Sequence, residues 1–80
     1  MDISDLYYSG TITNLLKYNK SGFITDVFGR NIYFNSDKIV PSGIKLRIGM
    51  TVIFKIKEKY DTKAERYNLY ATDIEIISSQ

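Results

Sequence analysis

The sequence predicts a small all-β domain in which five short strands close, or nearly close, into a barrel. Three observations carry that expectation. Apolar residues recur at a spacing of two, most cleanly at Val52, Phe54 and Ile56, and no segment sustains the 3.6-residue stripe of a helix. Gly, Asn, Asp, Ser and a single Pro punctuate the chain between these runs. Finally, a chain of 80 residues without cysteine has neither disulfides nor thiolate metal sites to hold it. It buries only about two-thirds of its unfolded surface, so stability rests on apolar packing within a well-closed sheet. An open five-stranded sheet would leave edges exposed, which closure removes.

The elements follow in order. Tyr8 to Leu16 reads as a first strand, with Ile12 and Leu15 apolar and Thr11 and Thr13 favouring extended backbone. Asn19-Lys20-Ser21-Gly22 breaks or bulges the chain before a second strand, Gly22 to Val27. Phe28-Gly29-Arg30 is a hairpin-length link to a third strand, Asn31 to Asn35. A longer connection, Asp37 to Gly49, holds Pro41, which cannot donate to a central ladder. Met50 to Lys57 is the fourth strand, Lys57 to Asn68 a polar loop with its tip at Asp61-Thr62-Lys63, and Leu69 to Ile77 the fifth strand. Thr62 to Tyr70 contains helix formers but is at most one turn within a loop. The expected core is Ile12, Ile24, Ile32, Phe34, Val52, Phe54 and Ile56. The whole chain, 1–80, is read as one domain, with 1–9 as an N-terminal extension and 75–80 as a C-terminal tail.

Hydrophobic residues make up 44% of the chain, which argues against disorder. No apolar run approaches the roughly 18 residues of a membrane span. The start, Met1-Asp2-Ile3-Ser4-Asp5, is acidic and unlike a secretory signal, so a cytoplasmic protein with no membrane partner is expected. Net charge is only +2, but from Asn14 to Lys57 eight basic residues face two acidic ones, a local +6. The compensating acids sit at the two ends of the chain. A basic middle suits a polyanion, and it also suits an ordinary solvated surface. There is no histidine or cysteine, the carboxylates are scattered, and no phosphate-cradling glycine motif is present. Those absences argue against an enzyme and against any metal or other cofactor.

An SH3-like barrel would also accommodate five strands. The choice between barrels rests on a resemblance. Gly10-Thr11-Ile12-Thr13-Asn14, then Gly22-Phe23-Ile24, then Asn31-Ile32-Tyr33-Phe34-Asn35, resembles the cold-shock domain, an OB-fold family. That family has a glycine two residues before a buried valine, an aromatic-rich first strand, a glycine-phenylalanine motif, and a second aromatic motif ending in histidine. Counted without gaps from Gly10, Ile12 falls on the valine, Gly22-Phe23-Ile24 on the end of the first motif, and Ile32-Tyr33-Phe34-Asn35 on the second. Leu46, Gly49, Val52, Phe54 and Ile56 resemble the family's fourth strand and the turn before it, and Ala71 and Ile74 its last strand. The likeness spans about Gly10 to Ile74. It departs where the family binds nucleic acid: Asn14 replaces a tryptophan, Ser21 a phenylalanine and Asn35 the histidine.

The resemblance implies a five-stranded antiparallel OB barrel that binds single-stranded RNA or DNA without strong sequence preference, in the manner of an RNA chaperone. Strand alternation supports this independently. If Ile24, Ile32 and Phe34 point inward, then Phe23, Tyr33 and Asn35 point outward on neighbouring strands. Outward rings can stack on bases, each worth about 1–3 kcal/mol. Lys20 and Arg30, at the strand ends, suit phosphates, Asn35 suits a base edge, and Tyr18 is a candidate third platform or else a lid on the core. Other readings of the same residues are a stabilising Phe23–Tyr33 pair, or rings covered by Leu6-Tyr7-Tyr8 or by the long loop. A protein-interaction module that has given up the nucleic-acid face, or a homodimer, is the competing class of function. Tyr60, Tyr67 and Tyr70 flank the fourth and fifth strands and are candidates to extend a surface groove, with core packing the favoured assignment for Tyr70.

Overall fold

The computed structural model describes residues 6–78. The acidic start, Met1 to Asp5, and the last two residues of the expected tail lie outside the described residues. The elements are β1 (Tyr8–Leu16), β2 (Ser21–Asp26), β3 (Asn31–Asn35), a single 3-10 turn (Ser36–Lys38), β4 (Thr51–Asp61) and β5 (Arg66–Ser78). They close into a barrel in the order β1-β2-β3-β5-β4, with β4 returning to β1. Four of the five seams are antiparallel, and the β3–β5 seam is parallel, with Tyr33 beside Tyr70. The expected wholly antiparallel barrel is corrected at that seam. A ring with an odd number of strands cannot alternate direction throughout, so one parallel pair is forced.

Two irregularities fit the sequence to this closure. On β1, Ile12 pairs with Ile24 but Asn14 pairs with the very next β2 residue, Phe23, so Thr13 is an extra residue in a bulge. The bulge explains why Ile12 and Leu15, three apart, both pack inward while Thr13 and Asn14 are both exposed. On β5 an extra residue lies between Thr72 and Glu75, where Asp73 takes φ 50°. This second bulge bends β5 around the barrel while it stays paired with β4.

The core contains Ile12, Ile24, Ile32, Phe34, Val52 and Phe54, as the period-two pattern requires. Ile56 is only half-buried, because β1 pairs with β4 no further than Tyr8 against Phe54 and leaves the rest of β4 uncovered on that side. Ala71 and Ile74 come from β5, and the long connection adds Ile39, Leu46 and Met50. That connection is tied down by a parallel bridge from Ile39 to Ile74 and by the Val40 N–H donating to the Ile74 carbonyl at 2.8 Å.

The stretch expected to be a polar loop is mostly sheet. β4 runs on to Asp61 and β5 begins at Arg66, so only residues 62–65 turn. Tyr60 and Tyr67 pack edge to face across the hairpin at 5.1 Å. Asp61 closes its end by accepting from the N–H groups of Lys63 and Ala64 at 2.9 and 3.2 Å. Beyond the barrel both faces of the ribbon meet water, so its strands carry no apolar alternation to detect. β5 likewise extends through residues 75–78, which the expected tail had included.

Two glycines are placed by space. A Cβ on Gly10 would lie 2.7 Å from both Ile24 Cγ2 and the Thr25 carbonyl oxygen. A Cβ on Gly22 would overlap the Asn14 carbonyl oxygen and come within 3.0 Å of the Phe34 ring. Backbone cannot yield as a flexible side chain can. Gly22→Ala should therefore cost about 1–3 kcal/mol, the range for overpacking a filled site, read as a lowered thermal midpoint. An unchanged midpoint would show that β1 and β2 are not in this close contact.

Candidate nucleic-acid interface

β2 and β3 face each other in strict register, Phe23 opposite Tyr33 and Ile24 opposite Ile32. With Gly22, Ile24, Ile32 and Phe34 buried, alternation sends Phe23 and Tyr33 outward, where both are half-exposed. The parallel seam then adds a ring that the sequence reading had assigned to the core. Tyr70, also half-exposed, stands beside Tyr33. The three rings form a row across β2, β3 and β5, with centroids 5.6 Å apart at 74° and 5.8 Å apart at 85°. Such edge-to-face packing is favourable in its own right. It also turns neighbouring rings nearly at right angles, so the row is a stepped surface instead of one flat table.

The row borders an open groove of about 550 Å³, lined in addition by Asn31, Arg66 and Asn68. Neither the Leu6-Tyr7-Tyr8 segment nor the long loop lines it. Toward β1 a smaller depression continues past Thr13 and Asn14, the two residues the bulge turns outward. A polar rung runs alongside: the Thr13 and Thr25 hydroxyls are 2.9 Å apart, and Thr25 donates to Asn31 Oδ1 at 3.0 Å.

The residues singled out from sequence divide into two groups. Phe23 and Tyr33 come together, and Asn35 lies two residues along β3, its Oδ1 3.5 Å from the Tyr33 hydroxyl. Lys20 is exposed at the start of β2, near the Asn35 end. Tyr18 is 99% exposed in the β1–β2 turn and is not a lid on the core; it borders a different depression, with Ser36 and Ile44. Lys17, Tyr18 and Asn19 all have positive φ (52°, 58° and 67°), an unfavourable run that carries Tyr18 away from the ring row.

Arg30 is the residue most changed by the structure. Its Nε–H donates to Asp26 Oδ2 at 2.7 Å, and its guanidinium lies 5.6 Å from the Tyr8 ring centroid and 5.5 Å from that of Phe28. The backbone N–H groups of Phe28 and Arg30 both donate to Asp26 Oδ1, at 3.0 and 2.8 Å. Asp26, which the sequence reading passed over, is thus the organiser of the β2–β3 turn, and Arg30 is tied to it at the inward end of β2. The signal was present in the i, i+4 spacing across a Gly-containing turn.

Ser21, where the resemblance expects a ring, is 2% exposed between Leu16 and Asn35 in the register, and its hydroxyl has no hydrogen-bond partner among the described residues. A buried hydroxyl without a partner opposes folding. Ser21→Ala should raise stability by about 1 kcal/mol, shifting the thermal midpoint up by about 4–8 °C for a domain this small; a fall instead would show that the hydroxyl has a partner in solution.

The architecture is that of an OB-type barrel with a ring-bearing outer face. Sixteen chains of solved structures match this one. Among them a cold-shock domain structure of Drosophila Unr (CSD456) superposes with a TM-score of 0.71 at 18% identity, over 94% of this chain and 28% of that one. This chain therefore spans little more than a quarter of that chain's length. No family model and no curated protein sequence matches. The likeness establishes the fold, a divergent cold-shock-like OB barrel. Among the described residues no helix is long and apolar enough to cross a membrane.

The Asp26 turn makes acid sensitivity testable. Burial alone would push the Asp26 carboxyl up, but donation from the Arg30 and Phe28 N–H groups and from the Arg30 guanidinium outweighs it and holds the group below its ordinary value near 3.8. A depressed folded value means the stabilisation is complete at neutral pH and is lost as pH falls below about 4. The parent should therefore lose thermal midpoint more steeply than Asp26→Asn on going from about pH 5 to pH 3. Parallel pH curves for the two proteins would contradict this reading.

Proposed function

We propose that this chain is a binding module for single-stranded nucleic acid, engaging bases on the Phe23–Tyr33–Tyr70 row. The observation that carries the reading is that three half-exposed rings cross three adjacent strands beside an open groove. Water is a poor partner for such a face, whereas the π-face of any base is a good one. The ring spacings of 5.6 and 5.8 Å exceed the roughly 3.4 Å rise of a stacked strand. A bound strand is therefore unstacked and extended, one base to a ring, which favours single strands over duplex. Stacking does not sense the 2′-hydroxyl, so RNA and DNA both fit. Lys20 and Asn35 border the path at its β2–β3 end, where they suit a phosphate and a base edge. Arg30 and Tyr18 are less central in this reading, the first because a phosphate must compete with Asp26, the second because it stands away from the row.

Three rings give about 3–9 kcal/mol gross at 1–3 kcal/mol per base. Ordering an extended strand removes much of that, leaving affinity of roughly micromolar or poorer, tolerant of sequence, as suits transient, RNA-chaperone-like contact. The fold is a binding scaffold, and no catalytic role is proposed.

The test is anisotropy of labelled oligo-dT and oligo-U titrated with the protein at two salt concentrations. Saturation should weaken with salt, with a log–log slope of about −2 for three neutralised phosphates. Phe23→Ala, Tyr33→Ala and Tyr70→Ala should each lose about 1–3 kcal/mol of affinity while keeping a cooperative thermal transition. Absence of saturation at high micromolar protein would sink the reading and favour a protein-interaction role for the same face.

A further inference from the structure

A second groove, of about 360 Å³, lies on the far side of Tyr70. Tyr70 lines both grooves, so its ring is the wall between them. Three lysines line the second one. Lys57 and Lys59 project from β4, with Lys57 directly across the ladder from Tyr70 and Lys59 across from Asn68, which lines the first groove. Lys38 approaches from the 3-10 turn that follows β3. Asn35 adds an amide, and Glu58 is the one carboxylate lining the groove. Among the described residues no hydrogen bond or ion pair engages the ammonium groups of Lys38, Lys57 or Lys59, Glu58 included. By contrast, Arg30 is held by an ion pair to Asp26. Here three cations from two separate elements converge unneutralised beside a stacking ring. Directly opposed residues in a ladder have Cβ atoms about 4.5–5.5 Å apart, so the lysine next to Tyr70 is about one ring-to-ring step further along the row.

Resting on the function proposed above, we infer that this second groove is a phosphate subsite: the strand whose bases stack on the Phe23–Tyr33–Tyr70 row passes over Tyr70 and sets its phosphodiester groups among Lys38, Lys57 and Lys59. The strand then crosses the sheet from β2 toward β4, roughly at right angles to the protein strands. Rings and cations do separate work along it. The rings supply salt-insensitive contact, and the lysines supply the counterion-release component. The hairpin extension of β4 and β5 also gains a role, because it brings Lys57 and Lys59 level with the end of the ring row.

The test compares two triple variants with equal loss of charge, by anisotropy of labelled oligo-dT across a salt series. Lys38→Gln/Lys57→Gln/Lys59→Gln should bind about tenfold more weakly at low salt and flatten the log–log slope by about 1.4, the contribution of two phosphates on a single strand. Lys17→Gln/Lys45→Gln/Lys63→Gln, outside both ring-bounded grooves, should do much less. Glu58→Gln should tighten binding about threefold, within what one exposed charge contributes. All these side chains except Glu58 are surface lysines, and thermal midpoints check that the variants fold. Equal effects of the two triples would show a general electrostatic field and overturn the subsite. A duplex of equal length that binds as tightly as the single strand and suffers the same loss would also overturn it, by showing a general polyanion patch. In either case loss of binding in the ring variants keeps the single-strand function standing, whereas no binding by the parent overturns both.

Discussion

A ring of five strands cannot alternate direction all the way round, and the one parallel seam that closure forces governs the rest of this molecule. The seam falls between β3 and β5, where Tyr33 lies beside Tyr70. It joins the Phe23–Tyr33 pair, which any β2–β3 hairpin of this register would form, to a third ring that arrives from the other end of the chain. At Tyr70 β5 pairs with β4 and β3 at once, and the extra residue at Asp73 bends it around the barrel while it stays paired with β4. The same closure requires β1 to serve β2 and β4 at once. It does so through the Thr13 bulge and the bare Cα atoms of Gly10 and Gly22, where even a methyl group would meet backbone.

Packing energy is concentrated in a narrow band. Residues from all five strands and the long connection meet in one cluster, and the loop's contribution (Ile39, Leu46, Met50) shows that the strands alone do not fill it. Outside that band the structure relies on polar devices. Asp26 gathers three donors in the β2–β3 turn, Asp61 closes the projecting hairpin, and Thr13, Thr25 and Asn31 form a rung on the outer face. Ser21 is the exception: a buried hydroxyl without a partner, in the position where the resemblance leads one to expect an aromatic ring.

That exchange bears on the proposed interface. Where the resemblance implies rings the chain has Asn14 and a buried Ser21, and its outer face carries a ring at the β5 end, at Tyr70. The ring row is accordingly centred on β3 instead of β1, and Lys57 and Lys59 of β4 lie beyond its Tyr70 end. Arg30, by contrast, is drawn off by Asp26 and by the rings of Tyr8 and Phe28. The net charge of +2 conceals this division between cations spent on structure and cations left facing a groove.

Local pattern was enough to read the five strands, six of the seven expected core residues, and the outward pairing of Phe23 with Tyr33, because alternation and turn chemistry are properties of neighbouring residues. β1 and β3 were legible to their ends. The ends of β4 and β5 were not, since a ribbon wetted on both faces has no apolar period to reveal it. Tyr70 could not be placed, because no local rule says which strand lies beside β3; that depends on the long connection carrying the chain past β3 so that β5, not β4, fills the gap. Arg30 looked free in the sequence because a charge shows its partner only once a turn has folded it onto one. Sequence alone determined the alternation that sends Ile24, Ile32 and Phe34 inward and Phe23 and Tyr33 outward. The tertiary structure alone decided which outward residues share a surface, because that is set by the order in which strands close around the barrel, and a period of two carries no information about order.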